Sequence, residues 1–377
     1  MKTTVYQKEV SNYYRTEIYS KKSNGTFYSP FNLSVDDMDR LILINFEKDP
    51  DEFYNTFELQ QACDRNGIKY LLVIAYRIDG GTDIYHKSGY PFASQASVLN
   101  NVIFNTRSLE GAKFEINTGY LDIYFSFEDK YGRMIKVKVN ENKNLKNNPF
   151  NLLAPVGVIS KKPASLPIYT LYKMSFTKRK NTIIEIEIDK IKHKPDTFPL
   201  PIDYSKNYFT RYSIDTFNVD WNKNFHGKLL PLMPGKKNRI EDCGVVYELI
   251  NNSGHYEIKD MRATNSKHHL NINFFPPIPD IVCLIDNLII KGKFITTTDK
   301  STGSICGEYY LKRLGNEIEL KIHPNKGWIP NENRFVLKLL FLIVKVFKDW
   351  PKSYVWNAKI KLDETNYPVM RSSWSRV

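Results

Sequence analysis

The stretch YLDIYFSFEDKYGRMIKVKVNEN, residues 120–142, decides how this chain is read. Leu121, Ile123, Phe125 and Phe127 share one side of a period of two, and Asp122, Tyr124, Ser126 and Glu128 share the other. Successive strand side chains point to opposite faces, so this is the signature of a strand with one buried face. After Tyr131-Gly132, Ile135, Val137 and Val139 alternate with Lys136 and Lys138. The two runs predict an antiparallel hairpin whose turn sets the register, with Ile123, Phe125, Ile135 and Val137 contributing to a core.

The same grammar recurs outward from the hairpin. KYLLVIAYRIDGG (69–81) is an apolar run closed by turn residues, and LILINFEKDPDEFY (41–54) starts as a strand and reaches a charged turn. In NTIIEIEIDK (181–190), Ile184, Ile186 and Ile188 oppose Glu185, Glu187 and Asp189, the ordinary polar face of a half-buried sheet. VVYELI, HYEIKDM and LNINF follow in the second half. Residues 146–169, with four prolines, read as a packed loop, and 193–209 as a second proline-rich connection. A boundary falls near 215–225, dividing the chain into 1–215, β-rich, and 216–377, barrel-like. RFVLKLLFLIVKVFK (334–348) breaks the alternation and predicts a helix packed on a sheet or closing a barrel. A membrane-surface helix and a pair of buried strands are the other readings. Asp349-Trp350-Pro351 ends it.

Composition agrees with a mainly β protein. Tyr (24) and Phe (22) are abundant, and aromatic side chains suit pleated, half-buried surfaces. The net charge of +13 is spread along the chain with no compact basic block. That favours a solvated surface over an anionic membrane or acidic ligand, and these over specific nucleic-acid recognition. The N-terminal residues lack an apolar core of signal-peptide length, and Cys63, Cys243, Cys283 and Cys306 form no CxxC pair. A reducing cytoplasm is the expected setting, and the Asn24, Asn32 and Asn251 sequons are then incidental. No span of transmembrane length is present, which leaves peripheral membrane contact as the only membrane role expected.

Few residues carry recognisable chemistry. There is no GxSxG, P-loop, HExxH or GxGxxG pattern. His268-His269, joined by His255 if their strands are neighbours, is the one histidine grouping; polar turn chemistry is the preferred reading. Asp36, Asp37 and Asp39 do not match a calcium loop and read as a solvated turn or helix start. The expectation is no metal and no cofactor. Tyr120, Tyr124, Tyr309 and Trp328 are candidates for the aromatic wall of a ligand cavity, weighed against core packing with one hydrogen bond each. No catalytic residue is assigned.

Residues 113–139 and 293–322 share an order: Lys113-Phe114, Tyr124, Gly132, Ile135 against Lys293-Phe294, Tyr309, Gly315, Ile318. With two β-rich halves, and a late helix followed by VWNAKIKLD, the layout resembles the bilobed lipocalin-like proteins that include carotenoid hydratase-like and pericyclase-like enzymes. The resemblance covers about two-thirds of the chain in layout. It implies two calycin-like barrels or sandwiches with a ligand pocket between or inside them, and metal-free transformation of terpenoid or polyketide-like molecules in some relatives. The expected function is binding of a hydrophobic or amphipathic small molecule, with cofactor-independent hydratase or isomerase activity as its extension. The alternative is a non-catalytic structural or interaction protein.

Overall fold

The computed structural model describes residues 18–377 apart from 65, 88–101, 108, 118–119, 143–147, 157–162, 203, 243 and 363–366. The fold is mainly β, with curled sheets and a half-barrel. The hairpin forms as the alternation dictates. Tyr120–Glu128 and Met134–Asn142 pair antiparallel with Ile123 opposite Val139, Phe125 opposite Val137 and Phe127 opposite Ile135. Ile123, Phe125, Ile135 and Val137 are buried, each side chain contributing about 1.5–3 kcal/mol by leaving water. Its turn is held by Asp129, whose carboxylate accepts the N–H groups of Tyr131 and Arg133 at 2.9 Å each. Gly132 takes the left-handed conformation at φ 80°, which a glycine adopts without steric cost. Glu110–Asn117, Thr182–Ile188 and Ile191–His193 complete a five-stranded sheet. On it Glu185 and Asp189 face water while Ile186 and Ile188 are buried.

This sheet covers one face of a ten-stranded sheet ordered Leu33–Asp36, Asp215–Trp221, Leu166–Lys178, Asn207–Ser213, Met38–Asn45, Tyr54–Cys63, Lys69–Arg77, Thr82–His86 and Val102–Thr106. Phe150–Ala154 adds to Leu166–Lys178. Ile42, Ile44, Phe57, Leu59, Val73 and Ala75 pack against the hairpin sheet. Their chain neighbours point the other way, into a hollow. Arg133 locks the two sheets together at one end. Its guanidinium binds both oxygens of Asp51 at 3.0 and 2.9 Å, bonds to Asp129, and lies 4.9 Å over the Phe53 ring.

Residues 146–169 are a correction: they are not simply a loop. Phe150–Ala154 is a strand, and the strand Leu166–Lys178 begins inside the proline-rich stretch. Pro149 and Pro155 flank Phe150–Ala154, where they interrupt no ladder bond of that strand. The SVDDMDR segment is likewise strand–kink–strand, Leu33–Asp36 and Met38–Asn45, and not a helix start.

The second half is a third sheet of ten strands, a near-continuous meander from Arg239–Asp242 to Val369–Arg376 with Phe225–Lys228 on its far edge. An aromatic seam joins it to the first sheet: Phe31 stacks on Phe274 at 5.1 Å, and Trp221 meets Phe294 edge-on at 5.0 Å. One apolar cluster runs through both halves, and the strand Asp215–Trp221 belongs to the first sheet. The two segments compared in sequence are each three-stranded antiparallel meanders, with Phe114 and Phe294 both buried. At Gly307, beside a bulge, an added Cβ would stand 2.3 Å from the His323 carbonyl oxygen, so that crossing admits only glycine.

The segment 334–348 is helical, as its pattern predicts, in two pieces: Phe335–Ile343 and Lys345–Asp349. Val344 between them takes an extended conformation. Leu337 and Phe341 face inward, whereas Phe335, Leu342 and Ile343 are exposed. No helix among the described residues is long and apolar enough to cross a membrane.

Candidate functional site

The hollow on the open face of the first sheet is a cavity of about 1250 Å³. Five neighbouring strands form its floor and sides: Leu41 and Leu43 from one, Glu58 and Gln60 from the next, Leu72 and Ile74 from the third, Leu171 and Met174 from the long strand, and Arg211 from its partner. The strand Phe150–Ala154 and the helical segment close it, with Phe150, Leu152, Phe341 and Phe347 turned inward. Arg334 fastens the helix to that strand: its guanidinium donates to the Asn148 carbonyl at 2.6 Å and lies 5.1 Å over the Phe150 ring. Most of the wall is apolar, so the few polar groups on it carry the specificity.

Those groups converge on the floor. Tyr76 donates to Glu58 Oε2 at 2.7 Å, and Gln60 Nε2 donates to Glu58 Oε1 at 2.8 Å. Burial pushes the Glu58 carboxyl above its ordinary pKa, against the pull of these two donors and of the Arg211 charge. Arg211 donates to Asn45 Oδ1 at 2.7 Å and lies 4.6 Å from the Phe209 ring centre. Burial pushes its guanidinium down to about 10, which leaves it charged at neutral pH. Asp36, at the rim, is pushed up to about 7, first by desolvation and then by the nearby Asp220 and Asp37 charges. It is only half-buried by accessible surface, but that surface opens onto the cavity and is surrounded by protein mass.

The aromatic residues singled out in the sequence lie elsewhere. Tyr120 sits at the hairpin edge with its hydroxyl on Asp122 at 2.8 Å, and Tyr124 lies against Gly111 on the outer face of the same sheet. Tyr309 is core, donating to the Pro276 carbonyl at 2.6 Å. Trp328 stands directly behind the cavity wall: its ring meets Phe341 at 5.0 Å and Phe347 at 5.8 Å, and its N–H donates to the Thr302 carbonyl. None of the four lines the cavity. Glu58, Tyr76 and Arg211, which do, lie on strands buried on both faces. The signal that could have found them is a charged residue set inside an apolar run, as Glu58 is in TFELQQ.

The histidine grouping also separates. His268 lies in a turn, with Nε2 3.1 Å from Asp215 Oδ2 and its ring stacked on Tyr172 at 4.0 Å. His255 begins the strand whose far end, Thr264, pairs with His269, about 30 Å along the chain axis. His255 instead meets Asp280 and Cys283. Among the described residues these three form the one group with metal-ligand chemistry, their ligand atoms within 4.8 Å of one another.

Comparison with known proteins adds no relative: no family model, no curated protein and no solved structure matches this chain.

Proposed function

We propose that this protein binds an amphipathic small molecule in the cavity of the first sheet. The observation that carries the reading is a roomy, mostly apolar hollow with one polar cluster at its floor. The apolar part of the ligand lies against Leu41, Leu72, Leu171 and Phe341. Its head group meets the Glu58–Gln60–Tyr76 cluster and the Arg211 guanidinium. Burying apolar ligand surface contributes about 25 cal/mol per Å² before ordering costs are subtracted. On this reading the first sheet and its helical cover act as a calycin-like ligand barrel, in keeping with the lipocalin-like layout of the sequence. The exposed Phe335, Leu342 and Ile343, flanked by Lys338, Lys345 and Lys348, suit contact with an anionic membrane surface beside the cavity.

A second reading, cofactor-independent hydration or isomerisation, is favoured by Glu58 alone. A carboxyl whose pKa burial raises, set in the floor of an apolar cavity, is the group there that can give a proton to an unsaturated ligand and take one back.

The test is a thermal-shift and native mass-spectrometry screen with a long-chain fatty alcohol, a fatty acid, a terpenoid alcohol and short oligonucleotides. The expected result is salt-insensitive stabilisation by one of the apolar probes, weakened in Ala62→Phe, which projects a ring into the cavity. Stabilisation by oligonucleotides alone, lost as salt rises, would transfer the function to the lysine-rich surface.

A further inference from the structure

We propose that His255, Asp280 and Cys283 form a zinc site beside the third sheet, with the Tyr19 ring packed against it. The three residues come from two pieces of chain: the start of the strand His255–Thr264 and the two ends of the turn Asp280–Cys283. All three are more than nine-tenths buried, at 7%, 1% and 2% exposure. Yet His255 Nδ1 and both Asp280 carboxylate oxygens make no hydrogen bond of ordinary geometry. The nearest approach between them is 3.7 Å, too long for a hydrogen bond and suited to two groups sharing an ion between them.

A buried carboxylate met only loosely by the His255 ring, the Cys283 thiol and the Val282 N–H is expensive, and a divalent cation at the centre of the three residues lowers that cost. The donor set selects the metal. An imidazole nitrogen, a carboxylate oxygen and a thiolate sulfur are borderline-soft, which suits zinc and argues against calcium or magnesium, whose ligands are all oxygen. Three protein ligands leave the fourth tetrahedral position to a water molecule.

The surroundings are built to orient the ligands. Tyr19 stacks on the His255 ring at 3.8 Å and 10°, and its hydroxyl donates to Glu257 Oε1 at 2.7 Å. Ser20 N–H donates to the Cys283 carbonyl and Ile285 N–H to the Ile18 carbonyl, both at 2.8 Å. Fixing ligands through outer partners of this kind is how protein metal sites are tuned. None of the three ligands lines the cavity, so the site is independent of ligand binding there.

The experiment uses the full chain, purified without tag histidines or chelator. Elemental analysis should find close to one zinc per chain. After chelator treatment, refilling with cobalt should give the near-ultraviolet thiolate-to-metal charge-transfer band. That band should vanish in Cys283→Ser and persist in Cys63→Ser and Cys306→Ser. Asp280→Asn should weaken metal binding by at least about tenfold, the lower end of what even an outer partner is worth. Wild-type protein that holds no zinc and shows no cobalt–thiolate band overturns the proposal, whether or not the variants fold. A band that survives Cys283→Ser overturns it as well.

Discussion

Tyr76 hydrogen-bonds to Glu58 across two adjacent strands, its hydroxyl 2.7 Å from Oε2. In the register Glu58 faces Ile74 and Tyr76 faces Thr56, so the two are diagonal neighbours on the cavity face. This bond is the hinge of the polar floor. Tyr76→Phe removes the donor and leaves a buried carboxyl oxygen unpaired. We expect a loss of about 1–3 kcal/mol in urea-measured stability, with Glu58→Gln in the same background restoring part of it. A Tyr76→Phe protein as stable as the parent would mean that the oxygen finds another partner.

Asp36 predicts a pH dependence. Its folded pKa is raised to about 7 from the ordinary carboxylate value, by burial first. The folded state therefore holds this proton more tightly than the unfolded chain, and stability falls as pH rises from about 4 to about 7. The loss is complete above pH 7. Its ceiling is on the order of 4 kcal/mol, reduced by any water screening in the cavity. Asp36→Asn should flatten this part of the unfolding free energy between pH 4 and pH 8. An unchanged profile in the variant would assign the dependence to Asp220 or Glu58, which are also raised by burial.

Arg133 should be the least replaceable surface cation. It satisfies Asp51 and Asp129 together, and the Asp129 side chain is fully buried. Arg133→Ala leaves that buried carboxylate with its backbone N–H partners but without its counter-charge, and should cost about 3–5 kcal/mol. Arg133→Lys should recover little, because an ammonium cannot reproduce the bidentate fork or the stacking on Phe53. Full stability in the lysine variant, by chemical denaturation, would contradict this account.

Gly307→Ala should destabilise the third sheet, since the new methyl would meet the His323 carbonyl and the Pro324 backbone. Overpacking of this kind costs about 1–3 kcal/mol or more. Gly315→Ala, where an added Cβ meets nothing within 4 Å but φ is 56°, separates the steric effect from the conformational one. Equal losses in the two variants would reduce the Gly307 effect to backbone freedom alone.

How much of this was legible in the sequence follows from burial contrast. The hairpin was readable because one face is core and the other is water, so Phe125 and Lys136 report opposite environments. The helix at 334–348 was readable because its lysines break the strand period. The cavity was not. Leu43 and Ile44, or Leu72 and Val73, are both apolar although one faces a hollow and the other a packed core. A strand shielded on both sides carries no alternation to read. Glu58 and Arg211 lie more than a hundred and fifty positions apart and meet only through sheet order. Tyr120 and Tyr124 stood out in the sequence because they fall on the polar parity of the hairpin, and that parity is the outer face of the five-stranded sheet, away from the cavity.

The two-faced first sheet has an evolutionary consequence. Along residues 41–45, 56–60 and 72–76, every second residue touches the hollow and the residues between them touch the hairpin sheet. Selection can therefore recolour the ligand-facing parity while the scaffold-facing parity stays untouched, a separation that lets specificity drift without a folding penalty. The same arithmetic makes these strands intolerant of indels. Inserting or deleting a single residue would exchange the two parities, turning Glu58 into the core and Phe57 into the binding surface. Among descendants of this sequence, divergence here should be by substitution, with length changes confined to the connecting turns.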